Sequence, residues 1–171
     1  GLAIPVAVMT YANPVWHAGL EAFLDACVVA GVSGGIVPDL PVDEASEWRN
    51  ACAEASVAPV FLAAPGSPEQ RLRAIGEASR GFVYCVATYG VTGERERLAP
   101  TAAELVARLR VFTDRPLLVG VGIAEPSQAA KACAFADGVV VGSALVRPLL
   151  EADAAAALRL AGAFRAAIDT T

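Results

Sequence analysis

Glycines follow three apolar runs of the sequence, where turns could bring backbone amides close to a ligand. The segments are Gly90-Val91-Thr92-Gly93, Gly120-Val121-Gly122 and Gly142-Ser143-Ala144. Glycine lets backbone N–H groups approach an anion, and Gly142-Ser143 opens a predicted short helix whose first N–H groups lack internal partners. The pattern indicates a phosphate-binding site. For Gly120 and Gly122, relief of crowding in a packed interior is the open alternative.

Single polar side chains supply the other candidates for chemistry. Asp39 directly follows a buried run, where a carboxylate could face an active-site mouth or only hold a turn. Tyr84 lies inside an apolar run, so its ring could form a ligand wall or only pack in the core. Tyr11 and Asn13 follow the first run and could line the same mouth or contact a partner. We expect His17 to open a helix and to have no functional role.

Composition and missing motifs exclude several functional classes. The chain has 171 residues and a net charge of −5, with no basic block, which argues against nucleic acid or an anionic membrane surface as partner. A single histidine excludes a multi-histidine metal centre. The sequence has neither GxGxxG nor a GKS/GKT loop, which disfavours dinucleotide and P-loop nucleotide binding. No apolar run approaches the ~18 residues of a membrane span, so a soluble globular protein is expected.

Four cysteines are spread along the chain without a CxxC pair, at positions 27, 52, 85 and 133. Such spacing is typical of small buried residues in a reducing compartment, and not of a disulfide framework or a zinc site. We therefore expect a cytoplasmic protein without a metal. The sequence starts without methionine or a signal-peptide pattern, so further residues are expected to precede it.

The elements that position these residues follow from the apolar pattern, which changes between short continuous runs and helical stripes. That alternation is typical of βα units around a parallel sheet. The runs predicted as strands are 6–9, 35–37, 60–62, 82–86, 117–121 and 138–141. One domain over 1–171 results. Its six units suit either an incomplete (β/α)8 barrel or an open doubly wound sheet, and both gather ligands at the carboxyl ends of the strands.

Helical spacing and capping signals predict the intervening helices. Stripes run from Leu20 to Val28 and from Leu105 to Phe112. Capping boxes predict helix starts with Ser67 and Thr101 as N-caps, and Pro126 suits the first turn of another helix. A short helix is expected over 144–149 and a closing helix over 152–168.

Seven segments, in this order along the chain, resemble one family, the alpha subunit of tryptophan synthase. They are Met9-Thr10-Tyr11-Ala12-Asn13-Pro14, Gly34-Gly35-Ile36-Val37-Pro38-Asp39-Leu40-Pro41, Pro59-Val60-Phe61-Leu62-Ala63-Ala64-Pro65, Arg80-Gly81-Phe82-Val83-Tyr84, Gly90-Val91-Thr92-Gly93, Gly120-Val121-Gly122-Ile123 and Gly142-Ser143-Ala144-Leu145-Val146. The resemblance implies a (β/α)8 TIM barrel, of which this chain carries strands 3 to 8. It also implies a lyase of tryptophan biosynthesis that cleaves indole-3-glycerol phosphate into indole and glyceraldehyde 3-phosphate. The implied partner is a pyridoxal-phosphate-dependent beta subunit in a heterotetramer, with no cofactor in this chain.

The resemblance also assigns roles to individual residues. The substrate phosphate would be held by Gly93, Gly122, Gly142 and Ser143. The indole pocket would be lined by Met9, Ile36, Leu62 and Val121. Supporting catalytic roles would fall to Tyr84, against the substrate, and to Thr92, as hydrogen-bond partner of a catalytic carboxylate. The beta-subunit face would include Tyr11, Asn13, Asp39 and Pro41.

The family's catalytic glutamate and aspartate match no position in this sequence, and its Gly-x-Pro-[Phe/Tyr]-Ser-Asp-Pro motif is absent. Both residues are expected to lie upstream of Gly1. The alternative function is therefore a truncated, non-catalytic homologue that binds a phosphate ester and the beta subunit. A third possibility is another phosphate-binding barrel of an indole or thiazole pathway. Unpaired strand edges near 6–9 and 138–141 predict that the chain alone aggregates or dimerises.

Overall fold

The computed structural model describes residues 3–86, 98–120 and 122–169. These residues form two compact units that interleave along the chain. The first comprises the residues up to Ala63, together with Ser67–Val83 and Phe112–Arg115. The second comprises Ala64–Gly66 and the described residues of 84–111 and 116–171.

The first unit is built on a parallel sheet of three strands in the order β1-β2-β3. Ala7 is paired with Gly34, and Gly34 with Ala58. Its elements in chain order are β1 (Ala7–Met9), α1 (Ala12–Ala18), α2 (Leu20–Val29), β2 (Gly34–Ile36), a 3₁₀ helix (Val42–Glu44), α3 (Ser46–Glu54), β3 (Ala58–Val60), the two-residue β4 (Leu62–Ala63) and α4 (Glu69–Ala78).

The second unit alternates strands and helices in the same way. Its elements are β5 (Val83–Val86), whose first residue belongs to the first unit, α5 (Leu98–Arg110), β6 (Leu117–Gly120), α6 (Pro126–Cys133), β7 (Gly138–Val140), α7 (Ser143–Leu150) and α8 (Ala154–Asp169). The strands β5, β6 and β7 are neighbours in this order, and β6 and β7 are parallel. No helix in the described ranges is long and apolar enough to cross a bilayer.

A strand lies at each of the six predicted runs, but the run 60–62 is divided between β3 and β4. The division falls at Phe61, whose N–H group donates to the Ser79 hydroxyl oxygen over 3.4 Å. Ser79 is fully buried at the end of α4. Because a buried side chain takes the Phe61 N–H group, the apolar run is not one continuous strand, which its composition could not reveal.

Two predicted helix starts and the position of His17 are wrong. The N-cap of α4 is Pro68 rather than Ser67, because the Pro68 carbonyl accepts the first helical hydrogen bond, from Leu72 N–H at 3.0 Å. Thr101 is not an N-cap but lies inside α5, which begins at Leu98. The helix can begin before the proline at position 100, because N–H groups in the first turn have no helical acceptor and proline has none to lose. His17 lies in the last turn of α1 and does not open a helix.

The start of α6 is confirmed as predicted. Pro126 is its first residue, and the Gln128 side-chain oxygen accepts hydrogen bonds from the N–H groups of Ala124 and Glu125 at 2.8 and 3.0 Å. Donors that precede the helix are thereby satisfied from within its first turn. The short helix predicted over 144–149 is α7, and the closing helix is α8.

Asp137 ties together three elements of the second unit from the turn before β7. Its Oδ2 atom accepts hydrogen bonds from Leu117 N–H and from Arg110 Nη2, both at 2.7 Å. Partial burial raises the pKa of Asp137, but these donors outweigh that effect and hold the pKa below its usual value. The carboxylate therefore favours the folded state only while it is ionised.

We expect Asp137→Asn to lower the free energy of unfolding by about 1 kcal/mol at neutral pH, since both partners of the contact are partly exposed. Because the folded pKa is depressed, this contribution is present above the unfolded value of about 3.9 and disappears as pH falls through the folded value. Urea unfolding from pH 7 to pH 3 would measure it. A wild-type advantage that persists unchanged at pH 3 would contradict the role of the ionised carboxylate.

Candidate active site

The carboxyl ends of β1 and β2 place two of the predicted pocket residues side by side. Met9 and Ile36 end their strands and are partners in the parallel register. The pairing extends one residue further, since Thr10 N–H donates to the Ile36 carbonyl at 3.0 Å. Ile36 is buried, whereas Met9 is half exposed. The pair thus presents an apolar surface at the sheet end where parallel α/β folds bind ligands.

Just beyond these strands, one hydrogen bond brings the predicted partner-face residues together. Asp39 Oδ1 accepts from Ala12 N–H at 2.9 Å, which joins the loop after β2 to the first residue of α1. Tyr11 and Asn13 flank Ala12, and Pro41 lies two residues after Asp39; all of these side chains are exposed. Asp39 therefore holds the start of α1, where a carboxylate also interacts favourably with the helix dipole.

Asp39→Ala is expected to lower the free energy of unfolding by about 1 kcal/mol, the usual cost of losing a helix N-terminal acceptor. Asp43→Ala is the matched control. Asp43 is an exposed carboxylate paired with Arg71, so its loss should cost less than about 0.5 kcal/mol. Urea denaturation followed by circular dichroism compares them, and equal losses would refute a special role for Asp39.

Tyr84 lies in β5 within the second unit and points toward the neighbouring strand β6. A Cβ atom added at Gly120 would stand 2.7 Å from Tyr84 Cε1 and still closer to Cζ and Oη. Tyr84 is 7% exposed. The ring thus lies directly against the backbone of Gly120, which gives this glycine the packing role that was one of its two interpretations.

The Gly142-Ser143 segment follows β7 and opens α7, as the sequence predicted. Gly142 is the N-cap, and its carbonyl accepts from Leu145 and Val146 N–H at 2.9 and 3.1 Å. The N–H groups of Ser143 and Ala144 come before Leu145 N–H, the first donor of the helical hydrogen-bond series, so they remain available at the positive end of the helix. No protein atom lies within 4 Å of a Cβ atom added at Gly142. Open space beside the N-cap glycine, next to two free amides, suits an anion.

The remaining predicted residues lie apart or outside the described ranges. Gly122 has φ +83°, a left-handed conformation that favours glycine, so its identity is explained by the turn after β6 as well as by a ligand. Leu62 belongs to the short strand β4 and is half-buried. Thr92, Gly93 and Val121 lie outside the residues that the structure describes.

The cysteines are free thiols, and those described here are not set up for nucleophilic chemistry. Burial raises the pKa of Cys52 and of Cys85 to about 12. It also raises the pKa of Cys27 and of Cys133, although Cys133 is only partly buried, contrary to the expectation that all four are buried. Within the described ranges, His, Cys, Asp and Glu form no group able to hold a metal ion.

Comparison with known proteins decides the family. The sequence profile described as tryptophan synthase alpha chain matches residues 1–165. The chain belongs to the tryptophan synthase alpha chain family. Tryptophan synthase alpha chains of Streptomyces avermitilis and Mycobacterium tuberculosis are 46% and 49% identical to it, over 90% and 84% of this chain. The chain spans about half the length of these curated relatives, 55% and 53% respectively.

Solved structures of tryptophan synthase confirm the fold class. A ligand-free form from M. tuberculosis superposes with a TM-score of 0.87 at 40% identity, covering 97% of this chain and 62% of that one. A tryptophan synthase α2β2 complex from Pyrococcus furiosus gives 0.83 at 37% identity, covering 98% and 67%. The predicted α/β fold, part of the family's (β/α)8 barrel, is thereby confirmed, and the open doubly wound sheet is set aside.

Proposed function

We propose that the protein containing this chain is a lyase of tryptophan biosynthesis, which cleaves indole-3-glycerol phosphate into indole and glyceraldehyde 3-phosphate. The observation that carries the proposal is the family match over residues 1–165. The chain contributes one domain that corresponds to strands 3 to 8 of the family barrel. The open helix terminus at Gly142-Ser143 supports the substrate class, since it offers two backbone donors and a positive dipole end to a phosphate group.

Two sets of residues would contact the substrate, as the family resemblance implies. The cradle for its phosphate comprises Gly93, Gly122, Gly142 and Ser143. The indole pocket comprises Met9, Ile36, Leu62 and Val121, with Tyr84 against the substrate. The apolar Met9–Ile36 pair is suited to a flat aromatic ring, because it removes carbon surface from water without demanding a hydrogen bond.

Cleavage needs a proton delivered to the indole ring and another removed from a glycerol hydroxyl group, so that the carbon–carbon bond breaks and a carbonyl forms. We assign Thr92 to hydrogen-bonding of a catalytic carboxylate. Asp39 is assigned a structural role rather than that of the acid or base, because its carboxylate is engaged by Ala12 N–H. The reaction requires no cofactor in this chain.

We further propose that the exposed cluster Tyr11, Asn13, Asp39 and Pro41 faces a beta subunit. The solved Pyrococcus relative is an α2β2 complex, which supports a heterotetramer. By the family resemblance, pyridoxal phosphate would belong to the beta partner. The Asp39–Ala12 hydrogen bond supports this surface, since it fixes two neighbouring loops in one arrangement before any partner arrives. The cytoplasm is the compartment that we propose, in keeping with four free cysteines.

The test is indole release by the full-length protein with its beta partner, comparing wild type with Ser143→Glu. A carboxylate at the start of α7 suits the helix dipole but repels a substrate phosphate, so KM should rise at least about tenfold without loss of stability. Ser127→Glu is the matched control, because Ser127 is exposed in the first turn of α6, a helix of the same length. Its KM should not change.

The outcomes separate the proposal from its alternative. Phosphate-ester binding without any indole release would contradict the lyase and favour the non-catalytic binding protein. Indole release with an unchanged KM in Ser143→Glu would leave the reaction in place but refute the assigned phosphate cradle.

A further inference from the structure

A cavity of about 420 Å³ lies in the first unit, at the end of its sheet opposite to the proposed pocket residues. Ala58 and Pro59, which line it, begin β3, whereas Met9 and Ile36 end β1 and β2 of the same parallel sheet. The other walls come from α3, from the turn before β3 and from the end of α4. Nothing assigned to indole-3-glycerol phosphate lines this cavity.

The charge of the cavity wall is entirely positive. Arg49 and Arg80 line it, and no aspartate or glutamate does. Arg49 takes part in no ion pair or side-chain hydrogen bond found among the described residues. An exposed arginine without a partner, beside a second arginine and a cavity, has all its donors available for a ligand.

The second guanidinium group is held in place by the chain itself. Arg80 Nη1 donates to the carbonyls of Glu77 and Ser79, at 2.8 and 3.0 Å, at the end of α4. The Nε and Nη2 atoms of Arg80 remain for a ligand. A guanidinium group that is already oriented loses less conformational freedom on binding than a free one.

The backbone N–H groups of Val57 and Ala58 at the cavity rim are already engaged within the protein. Val57 N–H donates to the Cys52 carbonyl and Ala58 N–H to the Ser33 carbonyl, both at 2.9 Å. The carbonyls that end α3 and α4 are thus partly covered by N–H groups and by Arg80. The binding chemistry rests on the two guanidinium groups and on Asn50, which also lines the cavity.

We propose that this cavity binds the phosphate group of a small molecule, as a second anion site separate from the substrate cradle. A phosphate group carries about −1.5 to −2 charges at neutral pH, which matches two arginines. A guanidinium group can bind two phosphate oxygens at once through two parallel N–H···O hydrogen bonds, which adds geometric specificity. The volume lies within the range of about 300–1,000 Å³ that is usual for small-molecule sites.

The experiment titrates the ¹⁵N-labelled full-length protein with inorganic phosphate and, separately, with sodium chloride at matched ionic strength. Phosphate should shift the amide signals of Ser56, Val57 and Ala58 with a saturable curve and a Kd on the order of 1 mM. Chloride should not reproduce the curve, since screening alone does not saturate. These amides report on this cavity independently of any binding at Gly142-Ser143.

Two variants decide which groups bind. Arg49→Gln removes an exposed, unpaired guanidinium group and should weaken phosphate binding at these amides about tenfold. Arg71→Gln is the matched control, because Arg71 is an exposed arginine of α4 that pairs with Asp43 and does not line the cavity. The proposal is overturned if wild-type signals do not saturate, or if Arg49→Gln and Arg71→Gln bind phosphate equally well.

Discussion

Replacing Trp48 by alanine is expected to lower the free energy of unfolding by about 3–5 kcal/mol, the usual cost of truncating a large buried aromatic side chain. Trp48 lies on α3, is 1% exposed and is the largest of the fully buried side chains among the residues that the structure describes. Its ring packs against Gly35 of β2, where an added Cβ atom would stand 2.8 Å from Trp48 Cζ2. The Phe23 ring of α2 lies at a centroid distance of 6.4 Å.

The indole ring of Trp48 therefore joins three elements of the first unit, and alanine would leave a cavity among them that a rigid sheet cannot close. Urea unfolding followed by far-ultraviolet circular dichroism measures the loss. The matched control is Trp16→Ala, since Trp16 is 41% exposed and its removal should cost about 2 kcal/mol or less. Similar losses in the two variants would refute the central role of Trp48.

The interior of this protein was only partly predictable from its sequence. Strands such as β5 and β6 were predictable because a run buried on both faces is apolar throughout, and composition alone reports that. The contact of Trp48 with Gly35 was not predictable, because it joins residues on different elements and neither residue type indicates the other. The same holds for Ser79 at the end of α4. Its hydroxyl group accepts the N–H group of Phe61, 18 positions earlier in the chain, and so interrupts the strand there.

The candidate site shows the same division. Gly142-Ser143 was found correctly at the opening of a helix, because a glycine and a serine after a valine-rich run are a local signal. The sequence does not distinguish a catalytic from a structural role for Asp39, because its partner, Ala12 N–H, is a backbone group that no pattern of side chains reveals. A motif of adjacent residues can be recognised from the sequence. A contact between residues far apart in the chain cannot, because it depends on how separate strands and helices are aligned.

Gly120→Ala is expected to have the second largest effect. The added methyl group would overlap the Tyr84 ring, and the buried ring has little room to move, so the free energy of unfolding should fall by about 2–3 kcal/mol. Because Tyr84 is also proposed to contact the substrate, a displaced ring should raise KM for indole-3-glycerol phosphate in the full-length protein. Urea unfolding and steady-state kinetics measure the two consequences separately.

Gly162→Ala is the matched control for stability, since no protein atom lies within 4 Å of its added methyl group and Gly162 lies within α8, so the free energy of unfolding should not fall. A double-mutant cycle then assigns the clash to one side chain. In a Tyr84→Leu background the ring is gone, so Gly120→Ala should cost at least about 1 kcal/mol less than it does in the wild type. An unchanged cost would mean that Gly120 is required by the strand itself, and not by the aromatic ring that lies against it.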